Sequence, residues 1–336
     1  MLEITEDRHP TEERAGLFAA RNANDAVSAG TIERWYQPRP EIRLEDLAGM
    51  KALKEQLRMA ADFPEEGNCP AKACLLYGPP GTGKTSLTVA FAGSLMDRGF
   101  EFLSLTSEEI RSKQVGEAER TLTAAFNEAM DAAAESSGCI LRIEEAETVC
   151  ADRSNSRMTD FARRLTDTFL ENLAVLLRSD RRVILLCTSS LPWEADPALL
   201  DRVRLIRVPL PDPDAREKYL RSRIPAGLHL TPGLTFRRLA EETENCNYPE
   251  LNWLSNNVLF QLRQRLMQDE RNRVLDEKGE WDWNAAQEKI VQRLENGGAA
   301  ISLELFREEM KQLDIPRDKS KILAMFRAFE ESRTVG

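Results

Sequence analysis

The sequence predicts an α/β fold: a parallel sheet with helices on both faces, followed by a smaller all-helical domain. Three observations carry this. Short apolar runs alternate with helical stretches between residues 74 and 208, the pattern of strand–helix–strand units. A glycine-rich loop joins the first run to a helix. After Pro209-Leu210-Pro211-Asp212-Pro213 the strand signal disappears, and residues 214–336 read as helices with polar interruptions.

Residues 1–40 are polar and mixed, ending in Gln37-Pro38-Arg39-Pro40. The residue before a proline is pushed toward extended backbone, so this stretch reads as a linker. Residues 50–63 have helical spacing. The strand candidates are Cys74–Tyr77, Phe100–Leu105, Cys139–Ile143, Val183–Cys187 and a weaker Arg204–Val208. Helical stretches lie near 84–97, 117–135 and 157–178. The expected division is 1–40 as N-terminal segment, 41–212 as the sheet domain and 213–336 as the helical domain. Residues 269–299, with Trp281-Asp282-Trp283, form a polar insertion in the last.

Composition excludes several classes. The 336 residues suffice for a sizeable core, because the buried fraction of surface grows with length. A net charge of −10 argues against a protein that tracks nucleic-acid phosphates with clustered Lys and Arg. No run reaches the roughly 18 apolar residues of a membrane span. The start, MLEITEDRHPTEER, lacks the apolar core of a signal peptide. Six cysteines show no C-x-x-C pair and His9 and His229 stand alone. That disfavours a Cys/His metal site or a Cys–His dyad. The absence of a disulfide framework fits a reducing cytoplasm.

Gly78-Pro79-Pro80-Gly81-Thr82-Gly83-Lys84-Thr85 matches G-x-x-x-x-G-K-[ST] at every fixed position. It follows a strand candidate and opens a helix candidate, the context a P-loop requires. Its glycines let backbone N–H groups wrap phosphates without side-chain clashes. The helix N-terminus adds positive potential. Lys84 is placed to reach the outer phosphates and the Thr85 hydroxyl to ligate Mg²⁺. Pro79, Pro80, Gly81, Thr82, Gly83, Lys84, Thr85 and Ser86 form the expected phosphate-binding set. The motif alone does not separate an ATPase from a GTPase or a small-molecule kinase.

Cys139-Ile140-Leu141-Arg142-Ile143-Glu144-Glu145 is an apolar strand ending in two carboxylates. On such a sheet the first, Glu144, holds the Mg²⁺ shell, and the second, Glu145, polarises an attacking water. The bland alternative is a solvated acidic loop, since Glu147 follows closely. Arg142 falls on the same strand face as Glu144. A buried arginine needs a partner, and none is evident from the sequence.

These residues carry a family. The chain resembles the AAA ATPases of the katanin, spastin and ESCRT-disassembling group, from about residue 41 to the C-terminus. Ile42-Arg43-Leu44-Glu45-Asp46-Leu47-Ala48-Gly49 is similar to the family's leading segment, which implies adenine contact at Ala48 and Gly49. Val115-Gly116-Glu117-Ala118-Glu119 resembles the segment after the first pore loop, and Ala162-Arg163-Arg164-Leu165 the helix before the fourth strand. Leu191-Pro192-Trp193 through Leu200, followed by Val208-Pro209-Leu210-Pro211-Asp212, resembles the subgroup most closely. Ile301–Phe306 and Phe326-Arg327-Ala328-Phe329 resemble its closing helices.

The resemblance implies an AAA large domain with a helical lid, a homo-oligomeric ring that is usually a hexamer, and polypeptide drawn through a pore. It implies that Arg202 reaches a neighbour's γ-phosphate and that Ser190 is the polar sensor. Several positions depart from the family pattern. Glu144 stands for Asp, Ser190 for Asn, Asp201 for the first of two arginines, and Gln114 for the pore aromatic. Asn247-Tyr248-Pro249-Glu250 replaces Gly-Tyr-Ser-Gly. The leading expectation is a cytoplasmic ATP- and Mg²⁺-dependent protein remodeller whose substrate the sequence does not name. The alternative is an ATP-binding scaffold or assembly subunit with weak or no hydrolysis. A metabolite kinase or a nucleic-acid motor ranks below both.

Overall fold

The computed structural model describes residues 32–62, 72–111, 116–225, 227–271, 282–295, 300–312 and 319–334. Gln114 and the Trp281 end of the polar insertion lie outside them. The described residues fall into two compact units. The first holds residues up to Leu47, Ala52–Gly78 and Lys84–Arg207, and the second Ala48–Lys51, Pro79–Gly83 and Val208 onward.

The first unit contains α1 (Lys51–Asp62) over most of its length, then β1 (Ala73–Tyr77), α2 (Lys84–Met96), β2 (Phe100–Leu105) and α3 (Ser107–Arg111). Next come α4 (Glu117–Glu135), β3 (Gly138–Ile143), α5 (Ala146–Val149), α6 (Asp160–Arg178), β4 (Val183–Ser189), α7 (Pro197–Leu200) and β5 (Arg204–Arg207). The five strands form one sheet in the order β2-β3-β4-β1-β5, and every neighbouring pair is parallel. Every residue of β1, β3 and β4 is buried. A parallel sheet covered on both faces demands this, so its strands read as continuous apolar runs. The rings of Phe126 on α4 and Phe169 on α6 pack in a T-shape, with centroids 5.7 Å apart and planes at 89°.

Helix starts explain the small boundary shifts. The helix expected from 157 begins at Asp160, because the Thr159 hydroxyl accepts the Ala162 N–H and caps it. β5 stops at Arg207, one residue before the expected end.

The linker reading of the N-terminal segment needs correction at its end. Trp35 is 1% exposed. The Gln37 N–H donates to the Phe102 carbonyl at 2.9 Å, and the Ser104 N–H to the Trp35 carbonyl at 2.8 Å. Tyr36 pairs antiparallel with Leu103, and its hydroxyl donates to Glu128 Oε1 on α4 at 2.6 Å. This stretch closes the outer edge of β2, which would otherwise present unpaired backbone groups. The prolines at 38 and 40 mark extended backbone, which is the same whether that backbone is docked or free.

The second unit contains α8 (Pro213–Arg223), β6 (His229–Leu230), α9 (Phe236–Glu242), α10 (Tyr248–Arg271), α11 (Trp283–Glu295), β7 (Ala300–Ile301), α12 (Leu303–Gln312) and α13 (Ser320–Thr334). The expectation of an all-helical domain is corrected by one detail: β6 and β7 pair in parallel over two residues. Strands that short leave no periodic signal. Part of the supposed insertion is the regular helix α11, whose Ile290 joins a core with Leu251, Leu254, Val258, Leu305 and Phe306. The Arg216 guanidinium is buried and satisfied by the carbonyls of Pro211 and Ala240. Among the described residues no helix is long and apolar enough to cross a membrane.

The docked N-terminal segment has a measurable consequence. Trp35→Ala is expected to cost about 3–5 kcal/mol, as for other large aromatic truncations in a core. Tyr36→Phe should cost about 1–2 kcal/mol, because it removes one donor to Glu128. Urea unfolding midpoints read both. An unchanged midpoint in Trp35→Ala would mean that the segment contributes nothing to the folded unit.

Candidate nucleotide site

β1 delivers the chain to the P-loop, and the Gly78 N–H donates to the Ser189 carbonyl of β4 at 3.3 Å. Gly81 and Gly83 have φ of 73° and 87°, the left-handed region that favours glycine. A Cβ on Gly81 would lie 2.8 Å from Asn247 Nδ2. The Thr82 hydroxyl donates to the Pro79 carbonyl at 2.9 Å. Lys84 opens α2 and is buried. Its ammonium donates to the Gly78 carbonyl at 2.8 Å, closing the loop on itself. Thr85 is exposed and Ser86 half-buried on the same first turn. A helix N-terminus, an ammonium and a hydroxyl thus sit at one turn, a donor set suited to phosphate with a hydrated cation.

The end of β3 sends three carboxylates to three different partners. Arg142 forks onto the Ser104 hydroxyl of β2, with Nε at 3.0 Å and Nη2 at 2.8 Å. Ser104 faces Arg142 across the strand register, so this is the partner the sequence did not reveal. The remaining Nη1 lies 3.6 Å from Glu144 Oε1, and the guanidinium stands 5.6 Å over the Phe102 ring. Glu145 has φ 50° and ψ 58°, an uncommon conformation for a non-glycine residue. Its carboxylate accepts the Ser107 hydroxyl at 3.0 Å, and its N–H donates to Thr188 Oγ1 at 3.4 Å.

Glu147 is buried, not part of a solvated acidic loop. Its Oε1 accepts the backbone N–H groups of Ser190 and Leu191, each at 3.2 Å. Its Oε2 is buried without a hydrogen-bond partner. Burial pulls the Lys84 ammonium down from 10.5 to about 8, opposed by the negative charge of Glu147.

The structure therefore groups Lys84, Glu147 and the Ser190 backbone within the first unit. Glu145 is turned to Ser107, and Glu144 to Arg142. Arg202 is exposed and donates to the Ala198 carbonyl of its own turn at 3.0 Å. Within the second unit, Tyr248 organises the other expected positions. Its hydroxyl donates to the Ala48 carbonyl at 2.8 Å, and its N–H to the Gly81 carbonyl at 3.1 Å. Burial pushes the phenol up to about 12. Gly49 has φ 69°, and a Cβ there would fall 2.6 Å from the Ala215 Cβ.

Sequence reasoning missed the roles of Ser107 and Glu147 within the first unit and of Tyr248 within the second. Ser107 lies two residues past the end of β2, and Glu147 three residues past Glu144, signals that become meaningful only once the strand order is known. No group of three or more His, Cys, Asp or Glu side chains suited to a metal occurs among the described residues.

Residues 74–210 match the family model described as ATPase family associated with various cellular activities (AAA). The chain carries an AAA domain. The chain is 28% identical over 249 residues to vacuolar protein sorting-associated protein 4 of Dictyostelium discoideum, covering 72% of this chain and 53% of that protein. It is 31% identical over 245 residues to a katanin p60 ATPase-containing protein of Xenopus tropicalis, covering 68% of this chain and 44% of the relative. The chain thus spans about half the length of these curated relatives. The crystal structure of the FIGL-1 AAA domain shares the fold, with a TM-score of 0.69 at 22% identity over 90% of this chain and 94% of that one.

In an AAA domain without nucleotide, the buried ammonium is a cost. Below about pH 8 the folded chain holds the Lys84 proton against desolvation. Between about 8 and 10.5 the folded state has released it and the unfolded state has not, so stability rises with pH through that window. Lys84→Met should therefore raise the stability of the nucleotide-free chain near neutral pH by up to about 3 kcal/mol and flatten the alkaline rise. Melting temperatures at neutral and alkaline pH check this. A lower melting temperature in Lys84→Met would mean that the ammonium is a net stabiliser.

Proposed function

We propose that the chain is an Mg²⁺-dependent ATP hydrolase that works as a homo-oligomeric ring, a hexamer by family resemblance, and remodels or disassembles a protein substrate in the cytoplasm. The observation that carries this reading is the closed P-loop, with the Lys84 ammonium held at Gly78 on the first turn of α2. The family membership supports ATP as the nucleotide. The domain division that goes with it is 1–40, 41–212 as the ATPase large domain and 213–336 as the lid.

In this mechanism the backbone N–H groups of Gly81–Ser86 bind phosphate oxygens, Pro79 and Pro80 shape the loop that presents them, and Lys84 exchanges the Gly78 carbonyl for the outer phosphates. Ala48 and Gly49 border the base. Thr85 and Glu144 would hold Mg²⁺, which when bound offsets phosphate charge. Glu145 leaves Ser107 and accepts a proton from the attacking water as general base. Ser190 is the polar sensor of the outer phosphate. Arg202, exposed on its own turn, serves the nucleotide of a neighbouring protomer and stabilises transition-state charge there.

The second reading, an ATP-binding scaffold with weak turnover, is favoured by one observation. Glu144 faces the Arg142 guanidinium at 3.6 Å, which competes with its use toward a cation. Steady-state ATPase rate measured against protein concentration separates the two. The ring enzyme gives a specific rate that climbs as protomers assemble, whereas the scaffold binds ATP without turnover at any concentration.

Glu145→Gln is expected to keep ATP binding and lower turnover by at least about a hundredfold, the usual scale of a general base. Full turnover would remove Glu145 from that role. Arg202→Ala should lose turnover while binding ATP normally. Mixing it with Glu145→Gln should restore part of the rate, because some mixed interfaces hold both native residues. Co-assembly without recovery would assign Arg202 to its own protomer.

A further inference from the structure

We propose that Glu147 is a positioning residue of the nucleotide site. Its carboxylate fixes the Ser190–Leu191 turn, and its buried charge makes the pocket prefer nucleotide carrying Mg²⁺ over metal-free nucleotide. The inference rests on the ATP-binding reading above and deepens it.

Three observations converge on this residue. The first is structural: Oε1 receives two successive backbone N–H groups at the end of β4, so the side chain is held from one side. The second is the other oxygen. Glu147 is 8% exposed, and Oε2 is buried with no hydrogen-bond partner. A carboxylate oxygen left in that state is costly unless a cation or its water completes it. The third is direction. Of the three carboxylates that follow β3, Glu147 is the one whose charge acts on the Lys84 ammonium. Glu144 lies against Arg142, and Glu145 against Ser107.

A buried negative charge acts oppositely on the two forms of the ligand. It repels the phosphates of metal-free ATP and attracts the divalent ion that ATP otherwise carries. A purely structural side chain would hold the Ser190–Leu191 turn and affect both forms of the nucleotide alike.

The test measures ATP dissociation constants by calorimetry, with saturating Mg²⁺ and with chelator, for the full chain and the variants E147Q, E147D and E144Q. The quantity read is the ratio of the metal-free to the Mg²⁺ value. E147Q keeps an acceptor for the two amides and removes the charge. Its ratio is expected to fall by roughly tenfold or more, the scale of one charge interaction at an effective dielectric of about 20, mainly through tighter metal-free binding. E147D retains the charge and should stay within about threefold of the native ratio. E144Q, at the residue placed on Mg²⁺, should also lower the ratio, but through weaker binding of the Mg²⁺ form, whereas E147Q lowers it through tighter metal-free binding. Equal weakening of both constants in E147Q would assign Glu147 to packing alone and overturn the proposal. So would an unchanged ratio in E147Q alongside a collapse in E144Q. If E147Q does not fold, E147N, which also removes the charge, is read in its place: a fallen ratio supports the proposal, and an unchanged ratio at a native melting temperature sinks it. Native protein that binds ATP with no preference for Mg²⁺ overturns this inference alone. Native protein that binds no ATP overturns the functional reading with it.

Discussion

A buried ammonium is the constraint around which the first unit is arranged. Taking Lys84 out of water is unfavourable, and the fold answers with a carbonyl from Gly78 and a nearby negative charge from Glu147. Both depend on strand order. Gly78 is held because β1 lies beside β4, whose Ser189 carbonyl receives its N–H. Glu147 is held because β3 lies on the other side of β4, within reach of the amides at 190 and 191. Moving β4 out from between β1 and β3 would separate the lysine from its counter-charge. The order β2-β3-β4-β1-β5 thus carries an electrostatic condition as well as a packing one, and the site lies at the carboxyl ends of the central strands where such sheets gather ligands.

The turn after β3 solves a second problem, that of like charges. Glu144, Glu145 and Glu147 lie within four residues of one another, and three carboxylates aimed at one point would repel. The left-handed conformation at Glu145 swings successive side chains apart. Such a conformation costs of the order of 1 kcal/mol or more for a non-glycine residue. Each carboxylate then meets a different element: the same strand for Glu144, the start of α3 for Glu145, the end of β4 for Glu147. The strain at one backbone position serves to spread charge that would otherwise accumulate.

What the sequence disclosed follows from what kinds of force leave a local trace. The strands of a doubly covered parallel sheet are apolar throughout, so β1, β2, β3 and β4 were legible almost to the residue. The P-loop was legible because its glycines and lysine are contiguous. The partner of Arg142 was not, since Ser104 lies 38 positions away and meets it only through strand register. Glu147 was lost for a similar reason: its amide partners are 43 and 44 positions away, and a lone acid after two others looks like solvated charge. Docking of Trp35 and Tyr36 was hidden by flanking prolines. The β6–β7 pair is too short for any period to register.

The departures from the family pattern divide along the same line between backbone and side chain. Asn247-Tyr248-Pro249-Glu250 stands where a Gly-Tyr-Ser-Gly stretch was expected, yet the main-chain contact to the P-loop segment of the second unit is made by the Tyr248 N–H, bonded to the Gly81 carbonyl, and the Asn247 side chain adds a bond to the Pro80 carbonyl at 3.3 Å. The new side chains add a reciprocal cap: the Asn247 N–H donates to Glu250 Oε2 at 2.7 Å, and the Glu250 N–H to Asn247 Oδ1 at 3.0 Å. Such a capping box satisfies two orphan donors at the start of α10. Lys319, preceding α13, then pairs with the same Glu250 at 2.6 Å. Ser190 behaves alike, since its backbone N–H is what Glu147 binds. Where a main-chain group makes the contact, the side chain is released to change and here takes up a local task. Lys84 is the opposite case, because the group that closes the loop is its own ammonium and no backbone atom can replace it.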